Sequence, residues 1–235
     1  MIPNQCRLAF QTAKASAIGK RIGVERHEPA FDACLRDPVP LRYPEAVTTR
    51  EEVEVKIAVS GPEHALEILG RAGFAISTPR IFEQNIVLDD PGGSLKGSNR
   101  LLRVRQAGDL ITVTYKGREI DGVHKRREER EFHADNLEEC VAVFSGVGLN
   151  PAYRYEKFRT EFARPGEPGH AVLDETPIGT YMELEGPPEW IDQAAADLGF
   201  TQADYILLSY MRLYLKWCEA NGQTPTNMVF SAQVV

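Results

Sequence analysis

The sequence predicts an α+β protein built on a mostly antiparallel sheet or closed barrel, with helices packed outside. Three observations carry this. About eight segments between residues 51 and 185 read as strands, several of them alternating charged and apolar side chains, the period-2 pattern of a strand with two unlike faces. Several neighbouring segments are joined by turns rich in Gly, Asp or Pro. Helical patterns are inserted among the strands only at intervals.

Glu51–Val59 opens the strand series. Pro62, suited to a first helical turn, leads into Ala65, Leu66, Ile68 and Leu69, a short amphipathic helix ending at Gly70 or Gly73. Ile81–Asp89 is a second strand, and Asp89-Asp90-Pro91-Gly92-Gly93 a turn. Leu101–Gln106 and Leu110–Lys116 form a hairpin across Ala107-Gly108-Asp109. Lys125–His133 is a strand, and Asn136–Phe144 a helix closed by Gly146-Val147-Gly148. Tyr153–Ala163 pairs across a Pro/Gly-rich turn with Ala171–Glu175, Tyr181–Glu185 is a short strand, and Pro188–Leu198 and Asp204–Glu219 are helices. A helix, then Gly-Phe near Phe74 or Gly-Leu near Leu149, then a strand, occurs twice and hints at a duplicated half.

Residues 1–48 differ from the rest. They lack sustained alternation, carry Pro3, Pro29, Pro38, Pro40 and Pro44, and read as a disordered extension. Residues 49–218 form the domain and 219–235 a C-terminal tail. With 235 residues, 43% of them hydrophobic, the chain has apolar material for one real core. It has no run approaching the roughly 18 apolar residues of a membrane helix. A net charge of -7 argues against nucleic acid as the main partner. Cys6, Cys34, Cys140 and Cys218 lie far apart, without zinc-like or thioredoxin-like spacing, and read as reduced thiols of a cytoplasmic protein. A homodimer is left open.

The strands sort charge by face, since residues i and i+2 point the same way. Glu52, Glu54 and Lys56 share a face opposite Val53, Val55 and Ile57. Arg103 and Arg105 share another, as do Lys125, Arg127, Glu129 and Glu131. Lys157, Arg159 and Glu161 align, and Glu183 and Glu185 flank Leu184. A solvated sheet face explains any one strand, but such faces are mixed in content. Here two strands offer paired carboxylates and two offer paired cations. Carboxylate oxygens suit Mg²⁺ or Mn²⁺. A triphosphate, with roughly four negative charges near neutral pH, needs several Arg and Lys. A site that holds both signs and fills with metal and polyphosphate reconciles charges that would be costly to bury alone.

With these residues in view, the chain resembles the CYTH family, the triphosphate tunnel metalloenzymes named from class IV adenylate cyclases and thiamine triphosphatases. Glu52-Val-Glu54-Val-Lys56 matches the ExExK signature. Leu102-Arg103-Val-Arg105, Thr114-Tyr-Lys116-Gly117, Arg127-Glu-Glu129-Arg-Glu131, Tyr155-Glu-Lys157-Phe-Arg159, Leu173-Asp174-Glu175, Glu183-Leu-Glu185-Gly186 and Ser209-Tyr210 follow in order. The resemblance implies an eight-stranded antiparallel β-barrel enclosing a charged tunnel. It implies Mg²⁺ or Mn²⁺ on Glu52, Glu54, Glu183 and Glu185. Phosphates would be gripped by Lys56, Arg103, Arg105, Lys116, Arg127, Lys157 and Arg159. Lys56, Glu54 and Asp174 are expected in catalytic roles, and Glu129 and Glu131 as further tunnel acids. One departure matters. Many relatives carry a tyrosine two residues before the aspartate that ends strand two, where this chain has Val87, so no role of that tyrosine carries over.

The tunnel charges serve two reactions, closure of ATP to cyclic AMP and pyrophosphate, or hydrolysis of tripolyphosphate, thiamine triphosphate or a nucleotide. The block pattern is most similar to bacterial class IV cyclase-like proteins. A non-catalytic polyphosphate or nucleotide binder is a third reading, which the intact carboxylate pairs disfavour.

Overall fold

The computed structural model describes residues 50–231. The expected extension at 1–48, with Cys6 and Cys34, lies outside them. Eight strands close into an antiparallel barrel: β1 (Arg50–Val59), β2 (Ala75–Asp89), β3 (Leu101–Ala107), β4 (Leu110–Lys116), β5 (Lys125–Ala134), β6 (Asn150–Ala163), β7 (His170–Thr176) and β8 (Gly179–Glu185). Five helices accompany them: α1 (Pro62–Arg71), α2 (Ser94–Gly97), α3 (Leu137–Gly146), α4 (Pro188–Asp197) and α5 (Tyr210–Ala220). None is long and apolar enough to cross a membrane.

Around the barrel the order is β1-β5-β4-β3-β2-β6-β7-β8, with β8 returning to β1. Exchanging β1 with β5, β2 with β6, β3 with β7 and β4 with β8 leaves this circle unchanged. The halves are thus two interlocked β-α-β-β-β units, the duplication hinted at by the two Gly-apolar junctions. Those junctions share one geometry. Gly73 (φ 82°) and Gly148 (φ 89°) turn the chain in the left-handed region. The next amides, of Phe74 and Leu149, then donate to the carbonyls of Leu69 and Phe144 at 3.0 and 2.9 Å.

The outward apolar positions of the strands are covered in patches. Val53, Val55, Ile57, Leu173, Met182 and Leu184 pack beneath Ile68 and Leu69 of α1 and Ile191, Ala194 and Ala195 of α4. Ile86, Leu88, Leu102, Val104, Ile111 and Val113 pack against Leu95 of α2 and Leu137 of α3. On the cavity side instead, a third cluster joins Tyr153 and Tyr155 of β6 to Tyr210, Tyr214 and Cys218 of α5 and to Met228. Charge therefore fills the inside, while the hydrophobic effect acts between strands and outer helices. Near β8, the Trp190 ring lies so close to Gly169 that an added Cβ would meet it at 2.2 Å. Only glycine fits there.

The structure refines four of these readings. The second strand begins at Ala75, six residues early, as a ribbon with β6 whose register shifts between Ile76 and Ile81. Pro79 and the broken alternation hide it in sequence. The Asp-Asp-Pro-Gly-Gly turn runs straight into α2, where both Asp89 carboxylate oxygens accept helix amides, from Leu95 and Lys96, each at 3.0 Å. The expected helix at 204–219 starts instead at Tyr210, capped by Ser209. Thr201 and Asp204 close a separate short turn by capping each other, and Ile206 bridges to the backbone of Lys56. The segment read as a tail also has structure, since Met228 hydrogen-bonds Arg154 and Glu156 of β6.

Candidate active site

Alternation on β1 puts Glu52, Glu54 and Lys56 inside while the valines face α1 and α4, and register then assembles the wall. Glu54 lies opposite Glu185 and Lys56 opposite Glu183 on β8, and Glu52 lies opposite Arg127 and Glu54 opposite Lys125 on β5. Across the barrel, Val87, Arg103 and Thr114 share one level and Asn85, Arg105 and Thr112 the next. The result is a cavity of about 870 Å³. Its lining includes Glu52, Glu54, Lys56, Arg103, Arg105, Lys116, Arg127, Glu129, Glu131, Lys157, Arg159, Glu183 and Glu185. Of the residues expected in the site, Asp174 alone is outside this lining.

Asp174 is fully buried behind the wall, where it organises the cations in front of it. It receives Arg159 through Nε and Nη2 at 2.8 and 2.7 Å, Lys157 at 2.8 Å and the Tyr210 hydroxyl at 2.7 Å. Glu183 bridges Lys56 and Arg159, at 2.5 Å each. Glu52 pairs with Lys116 and with Arg127 at 3.1 Å, and Glu54 pairs with Lys125. Lys116 also lies 3.3 Å from Glu129, and Arg103 lies 3.8 Å from Glu131.

Pairing decides the titration. Burial alone would raise the Glu54 carboxyl, but Lys125 beside it, helped by Lys56 and Lys116, holds it well below the usual carboxylate range. Glu183 is likewise pushed up by burial and brought far lower by Lys56, Arg159 and Lys157. Glu129, with burial dominant and Glu52 and Glu131 nearby, is raised.

Several residues take partners that the sequence does not disclose. Lys125 was placed on its strand but given no partner. Glu83 is buried on β2 against Arg105 at 3.3 Å and Lys157 at 3.6 Å. Continuing the alternation back from Val87 through Asn85 would have found it. Tyr155 accepts a hydrogen bond from Arg103 at 3.2 Å, and Tyr210 lies under Lys56 and Lys157, 4.5 and 5.3 Å from its ring centre. His124 is buried and sits 2.8 Å from Asp192.

Glu83 has a measurable consequence. Burial raises its carboxyl, but Lys157, Arg159 and Arg105 bring it down to about 2. A depressed folded-state pKa adds stability above the unfolded value, and that stability is lost as pH falls through the folded one. Between about pH 5 and 2, wild-type stability to urea is expected to fall with a contribution from Glu83 on the order of 3 kcal/mol. Glu83→Gln should be less stable at neutral pH and flatter through that window. Parallel pH curves for the two proteins would refute the pairing.

The donor set fits a hard divalent cation. Four carboxylates on neighbouring strands line one cavity and offer oxygen only. Among the described residues no three acidic, histidine or cysteine side chains yet converge as a metal cluster. Glu52, Glu54 and Glu183 instead face lysines and arginines.

Comparison with known proteins follows this geometry. A protein of Methanocaldococcus jannaschii named "Putative adenylate cyclase" is 27% identical over 135 residues, covering 57% of this chain and 75% of that one. The structure of a Vibrio parahaemolyticus protein called a "putative adenylate cyclase" superimposes with a TM-score of 0.61 at 18% identity, over 71% of this chain and 98% of that one. A Hippeastrum protein described as a "putative adenylyl cyclase" with "a dominant triphosphatase activity" gives 0.55 at 18% identity, over 74% and 97% of the two chains. At these identities the solved structures establish the shared fold. The family model described as the CYTH domain matches residues 50–206, from the first strand to the bridge at Ile206. The chain belongs to the CYTH domain family.

Proposed function

We propose that the barrel binds the triphosphate of ATP with Mg²⁺ or Mn²⁺ and closes the nucleotide to cyclic AMP and pyrophosphate, in the manner of a class IV adenylate cyclase. The observation that carries this is the cavity wall, where the carboxylates of β1 and β8 meet cations from β1, β3, β4, β5 and β6. Arg103, Arg105, Lys116, Arg127, Lys157 and Arg159 take the phosphate oxygens, the arginines in bidentate fashion. Lys56, fixed by Glu183, faces the same chain. Asp174 holds Lys157 and Arg159 in place. Glu52, Glu54, Glu183 and Glu185 would hold the metal, which when bound supplies Lewis-acid polarisation and charge neutralisation. Several of these acids now pair with cations that a phosphate chain would also engage. Phosphate binding would free carboxylates for metal, so the two ligands should strengthen each other.

The attacking ribose 3′-hydroxyl forms a bond to the α-phosphorus, and the bond to pyrophosphate breaks. Hydrolysis by water is the second reading, which the activity described for the Hippeastrum protein favours. A substrate panel separates them. ATP, tripolyphosphate and thiamine triphosphate are incubated with Mg²⁺ or Mn²⁺, and the products are resolved. Cyclic AMP with pyrophosphate is expected. Orthophosphate from any of the three would establish the triphosphatase, and no product at all would overturn both readings.

A further inference from the structure

We propose that Tyr155 is the proton acceptor of the reaction, its phenolate oxygen taking the proton of the attacking hydroxyl. This rests on the triphosphate reading above. Tyr155 lines the cavity on β6, in phase with Tyr153, Lys157 and Arg159. Its side chain lies in the wall beside the cations assigned to phosphate.

Two neighbouring tyrosines show why this one is suited. Tyr210 donates its hydroxyl hydrogen to Asp174, and burial with the Asp174 charge holds its phenol neutral far above the usual range. Tyr153 is raised too, chiefly by burial, and its hydroxyl is buried without a partner among the described residues. Tyr155 differs. Among the described residues its hydroxyl has one hydrogen-bond partner, Arg103, which donates to it. Its oxygen thus accepts charge-assisted stabilisation, and its own proton is tied to no protein acceptor.

The surroundings favour the ionised form. Arg103 and Arg105 face Tyr155 from β3 and Lys157 from β6. The acids on these cations are Glu83 on β2 for Arg105 and Lys157, Asp174 on β7 for Lys157, and Glu131 on β5 for Arg103, while Tyr153 and Tyr210 are neutral. From the C-terminal segment, Met228 bridges to its backbone. Burial opposes charge on Tyr155, but the three cations outweigh it and its pKa lies below the ordinary tyrosine value. The principal carboxylates are less free to act, since Glu52 and Glu183 each serve two cations and Glu54 holds Lys125.

In the step, the oxygen of the ribose hydroxyl or of water forms its bond to phosphorus as its proton passes to the Tyr155 oxygen. The bond to the leaving group, pyrophosphate in the cyclisation or the diphosphate end of the substrate in hydrolysis, breaks with its electrons on the leaving oxygen. The phenol later returns its proton to solvent.

The test is Tyr155→Phe, read in two ways. For wild type, kcat is expected to rise with pH as Tyr155 ionises and then level off. In the variant, kcat should fall by about 100-fold or more and that limb should vanish, while KM changes little. Near-ultraviolet titration of the wild type should show one phenolate forming below the ordinary tyrosine range, lost in the variant. A uniform drop in kcat with the limb retained would mean that Tyr155 only positions Arg103, and would overturn the proposal. Unchanged kcat, or no early phenolate, would also overturn it. If the wild type turns over none of the three substrates, the triphosphate reading falls and takes this role with it. An active wild type beside an unaffected variant removes the tyrosine role alone.

Discussion

Replacing Glu54 by glutamine is expected to lower metal-dependent turnover of a triphosphate by at least about 100-fold while the barrel still folds. Glu54 sits where β1 meets both β5 and β8, opposite Glu185 on one side and Lys125 on the other. The amide keeps the shape and can still accept a hydrogen bond from Lys125. It removes the negative charge that a divalent cation needs and that the neighbouring lysines compensate. Some stability is lost, because Lys125 is buried and its carboxylate partner is gone. Turnover across a Mn²⁺ series, with circular dichroism as the check on folding, measures the effect. Near wild-type turnover in a folded variant would remove Glu54 from the metal site.

Asp174→Asn should cost the barrel about 3 kcal/mol or more of stability. Its carboxylate is fully buried and binds Arg159 twice, Lys157 once and the Tyr210 hydroxyl. An amide can accept at one atom only, so two buried cations lose a shared counter-charge at once and keep only Glu183 beside Arg159 and Glu83 beside Lys157. A ligand that supplies negative charge to the same cations should restore part of it, since binding to the folded state stabilises by mass action. Urea midpoints with and without tripolyphosphate test both halves. An unchanged midpoint for the variant would show that Asp174 does not organise the wall. A lowered midpoint without rescue would show that tripolyphosphate does not reach Lys157 and Arg159.

The barrel strands were legible because their outward faces are apolar under helices and their inward faces charged. Both patterns have period 2 in the sequence, as at Glu52, Glu54 and Lys56 against Val53, Val55 and Ile57. Pairing was not legible. That Glu54 takes Lys125 and Glu183 takes Lys56 and Arg159 depends on register between strands distant in sequence. Nor does the motif containing Asp174 disclose that this aspartate sits behind the lining. The start of α5 was missed because residues 204–219 read as one continuous helix. Two local devices override that reading, the Thr201–Asp204 cap and the Ser209 N-cap, with Ile206 tied to Lys56 between them. Tyr210 thereby reaches Asp174, a contact that no helix drawn from Asp204 would reveal.

The most direct test of the whole account is titration calorimetry of tripolyphosphate into the full chain, with and without Mn²⁺. One saturable site is expected, tightened by the metal, weakened by salt and lost in Arg103→Ala. Absence of binding, or binding indifferent to both the metal and Arg103, would contradict a barrel that holds a triphosphate between its cations and its carboxylates.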